Sequence, residues 1–224
     1  MRGVFITGTD TGTGKSVLAA TICSALAARG ERVGAFKPVV TGLEAAPAGD
    51  WAPDHELLAA AGGGRQTPGE VTPYTFGAPA SPHYAAQLAG ATIEPARITA
   101  AARSVAEDAD VLVCEGVGGL LVPITTGYSV RDLAVELDLP VVIAARTGLG
   151  TISHSLLTLE AARAAGLRVA GVVMSPWPAK PEPIELSNRA TVAALGGVPV
   201  SGLPATSPSE LAAGGACLPI DDWL

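Results

Sequence analysis

Six short apolar runs punctuate the chain, at residues 3–7 (GVFIT), 32–36 (RVGAF), 110–115 (DVLVCE), 140–145 (PVVIAA), 168–174 (RVAGVVM) and 198–203 (VPVSGL). Several are apolar without alternation, the pattern of strands covered on both faces in a parallel sheet. Segments with helical spacing lie between them. Residues 16–28 follow a Gly-rich turn. In 129–140, Val130, Leu133, Ala134 and Leu137 recur at i, i+3, i+4 and i+7. Ser129 and Asp132 are spaced there as an N-cap box, and Pro140 closes the unit. In 150–165, Ile152, Leu156 and Leu159 share a face and Gly166 stops the helix. The alternation predicts an α/β fold, a doubly wound and mostly parallel sheet with helices on both faces, in one domain spanning 1–224. Three segments interrupt it: 41–53, 62–82 and 176–183 are too rich in Gly and Pro for regular elements. Connections as long as the first two are usually functional or disordered.

Composition narrows the classes. Of 224 residues, 48% are hydrophobic but only 4% aromatic, so the core must be built mostly of Ala, Val, Leu and Ile. The net charge is -7, and no cluster of Lys and Arg offers a nucleic-acid surface. The lysines are Lys15, Lys37 and Lys180. Cys23, Cys114 and Cys217 lack metal-ligand spacing and read as small hydrophobes in a reducing compartment. Lys15 followed by SVLAATICSALAA imitates a secretory signal, but a strand and turn precede it. No other apolar run approaches the ~20 residues that span a bilayer. The expectation is a soluble, cytoplasmic protein with neither nucleic acid nor membrane as partner.

The chemistry gathers at strand ends. After the first strand, GTDTGTGKS (8–16) leads into a helix. Its glycines let successive N–H groups point inward, and the helix start adds the positive end of its dipole. Lys15 can reach a β- or γ-phosphate and the Ser16 hydroxyl can ligate Mg²⁺. The segment therefore reads as a phosphate-binding loop of P-loop NTPase type, with Gly12, Thr13, Gly14, Lys15, Ser16 and Val17 as nucleotide contacts. The strict GxxxxGK[ST] pattern is not met, because its first glycine falls on Thr9 and Gly8 stands one residue earlier. Such a loop needs an acidic group from another strand, and Glu115 with Gly116 supplies one after VLVC. Asp54 is as suited to an N-cap as to a metal ligand, and Asp50 is a rival. Lys37 ends the second strand and is placed to contact a second anion.

These residues resemble the dethiobiotin synthetases. The matching stretches are GTDTGTGKS at 8–16, FKPVVTG at 36–42, PDHELL at 53–58, TPYTFGAPASPH at 72–83, EGVGGLLVPI at 115–124, GLGTISHSLLTLEA at 148–161 and AGVV at 170–173. The resemblance implies an ATP-dependent ligase that closes a ureido ring on 7,8-diaminononanoate with CO₂, as a homodimer. It implies Lys15 and Lys37 as catalytic lysines, with Thr11 and Thr41 along the diamine and carbamate site. Ser16, Asp54 and Glu115 become the Mg²⁺ shell, favouring Asp54 over Asp50. Val117 and Gly118 join the nucleotide site. Gly150, Thr151, Ile152 and Ser153 would hold the far carboxylate at a helix N-terminus.

Two departures stand out. Ser175 occupies a position where many members carry an Asn that reads adenine, and a hydroxyl cannot offer an amide's paired donor and acceptor. Another nucleoside triphosphate could then serve, with base contacts expected from Ser175, Pro176, Pro204, Ala205 and Thr206. Many members also bind the substrate carboxylate with a Tyr near 187 from the partner subunit. Here Ser187 or Asn188 would have to substitute. The competing reading is a ParA/MinD-like ATPase switch, whose loop usually begins with an extra Lys where this chain has Gly8 and Thr9.

Overall fold

The computed structural model describes residues 1–45 and 51–224, so Asp50 lies outside the described residues. Strand β1 (Gly3–Gly8) runs through the phosphate-loop segment into α1 (Lys15–Ala28), followed by β2 (Val33–Phe36). Helices α2 (Asp54–Ala61), α3 (Pro68–Val71), α4 (Pro82–Leu88) and α5 (Pro95–Glu107) lead to β3 (Val111–Gly119). A small hairpin of β4 (Pro123–Thr125) and β5 (Tyr128–Ser129) precedes α6 (Val130–Leu137) and β6 (Val141–Ala145). Then come α7 (Thr151–Ala164), β7 (Val169–Trp177), α8 (Pro183–Gly196) and β8 (Val200–Pro204). The chain finishes with the short helices α9 (Leu211–Gly214) and α10 (Ile220–Trp223).

The main sheet has the order β2-β3-β1-β6-β7-β8, with every pairing parallel. Its strands are apolar on both sides because both sides are covered. Val4 and Ile6 of β1 and Val142 and Ala144 of β6 pack with Leu18, Ile22 and Leu26 of α1, Leu58 of α2 and Trp223 of α10. Phe5, Ile143 and Ala145 point the other way, to Ile98 of α5, Leu133 of α6, Leu159 of α7 and Val192 of α8. The connection leaving β1 thus covers one face and those after β3 and β6 the other. This opens a crevice at the carboxyl ends of these strands.

The six strands and three helices read from the sequence are present. The cap of α6 forms as expected: Ser129 Oγ accepts from Asp132 N (3.3 Å), and Ser129 N donates to Asp132 Oδ2 (2.7 Å). Helices α5 and α8 were not read from the sequence: α5 spaces Ile98, Ala102 and Val105 on one face, but between many alanines, and α8 carries no large apolar stripe. The buried face of α8 is Asn188, Val192 and Gly196. Three expectations need correction. Segment 62–82 is not wholly irregular, since Thr67 and Glu70 form a capping box that starts α3. Residues 176 and 177 of the third Pro-rich segment belong to β7, and residue 183 opens α8. Cys217 is exposed, whereas Cys23 and Cys114 are buried.

The two long Gly/Pro segments are not independent loops. Val40 N donates to Tyr74 O (2.9 Å), Phe76 N to Val40 O (2.9 Å) and Gly42 N to Ala78 O (3.0 Å), zipping them into one wall beside the crevice. Among the described residues, no helix is long and apolar enough to cross a membrane.

Candidate nucleotide-binding cleft

At the end of β1 the chain curls back on itself. A Cβ at Gly8 would stand 2.6 Å from Thr13 Oγ1 and 2.9 Å from both Asp10 O and Lys15 Nζ. The close approach to the Asp10 carbonyl requires glycine at residue 8. Gly14, at φ 84°, caps α1 in the left-handed region. Among the described residues, the N–H groups of residues 12–17 donate to no protein acceptor. They remain available to an anion at the positive end of a helix of 14 residues. Lys15 is 7% exposed and its Nζ donates to Asp10 O (2.7 Å). Burial lowers its pKa to about 8, partly countered by the negative charge of Glu115.

Lys37, Asp54, Glu115 and Ser16 come from β2's end, α2's first turn, β3 and α1. Sequence separations of up to 99 residues close to hydrogen-bond distance. Lys37 Nζ lies 2.5 Å from Asp54 Oδ2 and 2.6 Å from Glu115 Oε1, and Ser16 Oγ donates to Glu115 Oε1 (2.8 Å). Lys37 is 4% exposed and Glu115 fully buried. The helix cap of α2 is Pro53, so Asp54 is not the N-cap, and its carboxylate lines the cleft paired with Lys37. Burial opposes the charge on Lys37, but Glu115 and Asp54 together outweigh it and raise the ammonium's pKa. Burial likewise pushes the Glu115 carboxyl up, with Lys37 offsetting it only in part. At Asp54 burial acts upward too, but Lys37 prevails and holds the carboxyl below its usual range.

The cleft has a volume of about 730 Å³, within the ordinary range for a ligand site. It is lined by Thr11, Gly12, Gly14, Lys15, Ser16 and Val17 of the loop, and by Lys37, Thr41, Asp54, Glu115, Val117 and Gly118. Two other residues of the expected set support it without lining it. Thr13 Oγ1 donates to Asp10 O (3.2 Å), and Gly116 packs where a Cβ would lie 2.8 Å from Val130 Cγ1. Trp51, Pro79, Ala80 and Ser81 also line the cleft, and no role was read for them from the sequence. They arrive on the zipped Gly/Pro wall and the approach to α2, where no periodicity signals a site.

The remaining expected residues lie outside this lining. Ser175 and Pro176 lie near the end of β7, two strands from β1; Pro204 ends β8, three strands away, and Ala205 and Thr206 follow it. Ser175 Oγ comes within 3.4 Å of a Cβ built at Gly14, so the hydroxyl sits directly beside the phosphate loop. Gly150, Thr151, Ile152 and Ser153 open α7 after β6. Their turn reaches the cleft through Arg146, whose Nη2 donates to Thr11 O (3.1 Å). Asn188 is not free to meet a partner's substrate, because its amide is buried against the carbonyls of Thr147 and Gly148. Ser187 is exposed.

The donors suit a hard divalent cation. Glu115 Oε2 is buried without a hydrogen-bond partner, beside a second carboxylate and a hydroxyl. Mg²⁺ takes one or two carboxylates and completes its shell with water and substrate phosphates. No group of three or more His, Cys, Asp or Glu that could hold a metal occurs among the described residues.

Comparison with known proteins agrees with this architecture. The AAA domain family model matches residues 2–206. The chain is 41% identical over 195 residues to a protein named ATP-dependent dethiobiotin synthetase BioD from Anaeromyxobacter dehalogenans (strain 2CP-C), covering 87% of this chain and 86% of that one. Proteins of the same name from Rhodococcus erythropolis and Bacillus licheniformis are 38% and 37% identical, covering 92% and 91% of this chain and 89% and 85% of theirs. Among solved structures, the cell division ATPase MinD of Pyrococcus furiosus matches with TM-score 0.56 over 98% of this chain and 89% of that one. Its identity is only 14%, so it shares the fold alone. The P-loop α/β sheet, the carboxylate–lysine cluster and these relatives together place the chain in the ATP-dependent dethiobiotin synthetase family of enzymes.

Proposed function

We propose that this chain closes a ureido ring on 7,8-diaminononanoate with CO₂ and a nucleoside triphosphate, releasing dethiobiotin, nucleoside diphosphate and phosphate. One observation carries the reading: Lys15, Lys37, Ser16, Asp54 and Glu115 converge on one cleft at the phosphate loop. One amine of the diamine adds to CO₂ and loses a proton, giving a carbamate. A carbamate oxygen attacks the γ-phosphorus as the bond to the bridging oxygen of the diphosphate breaks. The second amine then attacks the carbonyl carbon of this carbamic-phosphoric anhydride and expels phosphate. Negative charge collects on carbamate, phosphoryl group and leaving diphosphate throughout. Lys15 and the free N–H groups of 12–17 face the phosphates, and Lys37 faces the carbamate beside Thr11 and Thr41. Ser16, Asp54 and Glu115 would hold Mg²⁺, which supplies charge neutralisation on the phosphate oxygens.

The nucleotide would lie along the carboxyl edge of the sheet, its base toward Ser175, Pro176 and residues 204–206. With Ser175 in place of an amide, discrimination among bases rests on the remaining contacts. The diamine's far carboxylate is assigned to the start of α7. There the N–H groups of Ile152 and Ser153 have no acceptor among the described residues. A homodimer is supported by large apolar side chains left exposed around α7 and α8, Leu149 (89%), Leu157 (61%) and Leu186 (51%). A cytoplasmic location fits cysteines that serve as small hydrophobes, as at the buried Cys23 and Cys114.

The test is phosphate release with Mg²⁺ and bicarbonate, with and without the diamine. Release that depends on the diamine, with dethiobiotin as product, is the expected result. Release indifferent to the diamine would overturn the assignment in favour of a MinD-like switch, to which the fold is related.

A further inference from the structure

The turn between β6 and α7, residues 146–150, stands between the phosphate loop and the assigned carboxylate site. Toward the loop, Arg146 Nη2 donates to Thr11 O (3.1 Å). Within the turn, Thr151 Oγ1 donates back to Arg146 O (2.6 Å) and Thr151 N to Gly148 O (3.3 Å). From the opposite side α8 sends in Asn188. This side chain is buried, and its Nδ2 donates to Thr147 O (2.9 Å) and Gly148 O (3.3 Å). Both partners are carbonyl oxygens, so only the NH₂ end of the amide can face them.

Packing alone does not ask for an asparagine here. The buried face of α8 is otherwise Val192 and Gly196, and an apolar residue at 188 would satisfy the helix better. A buried amide is costly unless bonded, and this one spends its donors on two carbonyls just ahead of α7. Those carbonyls fix the angle at which the chain enters α7, and with it the direction of the Ile152 and Ser153 N–H groups. We infer that Asn188 is a positioning residue for the anionic end of the substrate, aiming the first N–H groups of α7 from behind. The inference rests on the reading that the diamine's carboxylate docks at residues 150–153.

The experiment compares 7,8-diaminononanoate with 2,3-diaminononane, which keeps the vicinal amines and chain length but carries no carboxylate. Wild type, Asn188→Ala and Asn188→Asp are assayed below their melting temperatures, each checked by circular dichroism. Asn188→Asp keeps the shape but cannot donate, and Asn188→Ala carries the test if the aspartate variant does not fold. The wild type should prefer the carboxylate substrate. In the variants that preference should fall at least about tenfold, through KM for diaminononanoate, the scale of a lost charge-assisted hydrogen bond. KM for ATP and kcat/KM for diaminononane should stay near wild type. A variant that slows both diamines by one factor, or neither, overturns the positioning role, since structural damage would not alter the ratio. A wild type indifferent to the carboxylate would overturn the docking site itself, and the role of Asn188 with it.

Discussion

Lys37 is gripped by two carboxylates, at 2.5 Å from Asp54 and 2.6 Å from Glu115, and it is nearly inaccessible to solvent. Its ammonium is assigned to charge developing in the reaction, and groups of that kind are typically worth about 3 kcal/mol of barrier, roughly a hundredfold in rate. Lys37→Ala should therefore lower kcat by about that factor, measured as phosphate release at saturating substrates. A variant turning over near the wild-type rate would refute the role. The same substitution strands two carboxylates, and breaking a buried pair typically costs about 3–5 kcal/mol of stability, so the assay belongs well below the variant's melting point. At this scale the sequence was informative where chemistry needs a rare residue type. Lys15 and Ser16 could be picked out by their place after a Gly-rich loop, Lys37 and Glu115 by theirs at strand ends. Asp54 could not be separated from an N-cap until Pro53 was seen to hold that position. Arg146 and Asn188 act through backbone carbonyls, and a side chain bonded to a carbonyl leaves no pattern in the letters.

Among the elements, the entrance to the edge strand is reinforced by one pair. Arg32 N and its Nη2 donate to Asp110 Oδ2 (2.9 Å) and Oδ1 (2.6 Å), while Asp110 N donates to Arg32 O (2.8 Å). This ties the starts of β2 and β3 together. The guanidinium and backbone N–H of Arg32 lower the Asp110 pKa to about 2. A carboxyl depressed on folding stabilises the protein above its unfolded pKa, near 3.8, and that contribution is lost as pH falls toward 2. The urea midpoint of wild type should exceed that of Asp110→Asn at pH 5, modestly because the pair is exposed, and the gap should close by about pH 2. A gap unchanged over that window would mean that the charge of Asp110 contributes nothing to stability. Next to it, Gln66 donates to Ala35 O (3.1 Å) and accepts from Ala35 N (2.7 Å), completing the outer edge of β2 with a side chain. Strands were legible because burial on both faces writes an unbroken apolar run. Helix α6 was legible because its four buried residues are all apolar. Helix α8 was not, since its buried face includes an asparagine and a glycine.

For the whole molecule, the alternation of strand and helix was enough to specify a doubly wound sheet, because parallel neighbours require crossovers and crossovers must cover a face. The strand order and the zipping of residues 40–42 onto 74–78 depend on contacts distant in sequence, and no local pattern encodes them. The cluster around Lys37 has a further consequence for how this protein reaches its working form. Its ammonium spans both acids and offsets part of their charge, so the polypeptide is expected to fold without an inorganic ion, unlike domains that collapse only around zinc. Preparations stripped with excess EDTA should melt within about 1 °C of untreated ones, because a ligand that scarcely binds the empty protein cannot stabilise it. On the proposed function, loading would then wait for a triphosphate, and a marked drop in melting temperature on chelation would show that assembly and loading are one event.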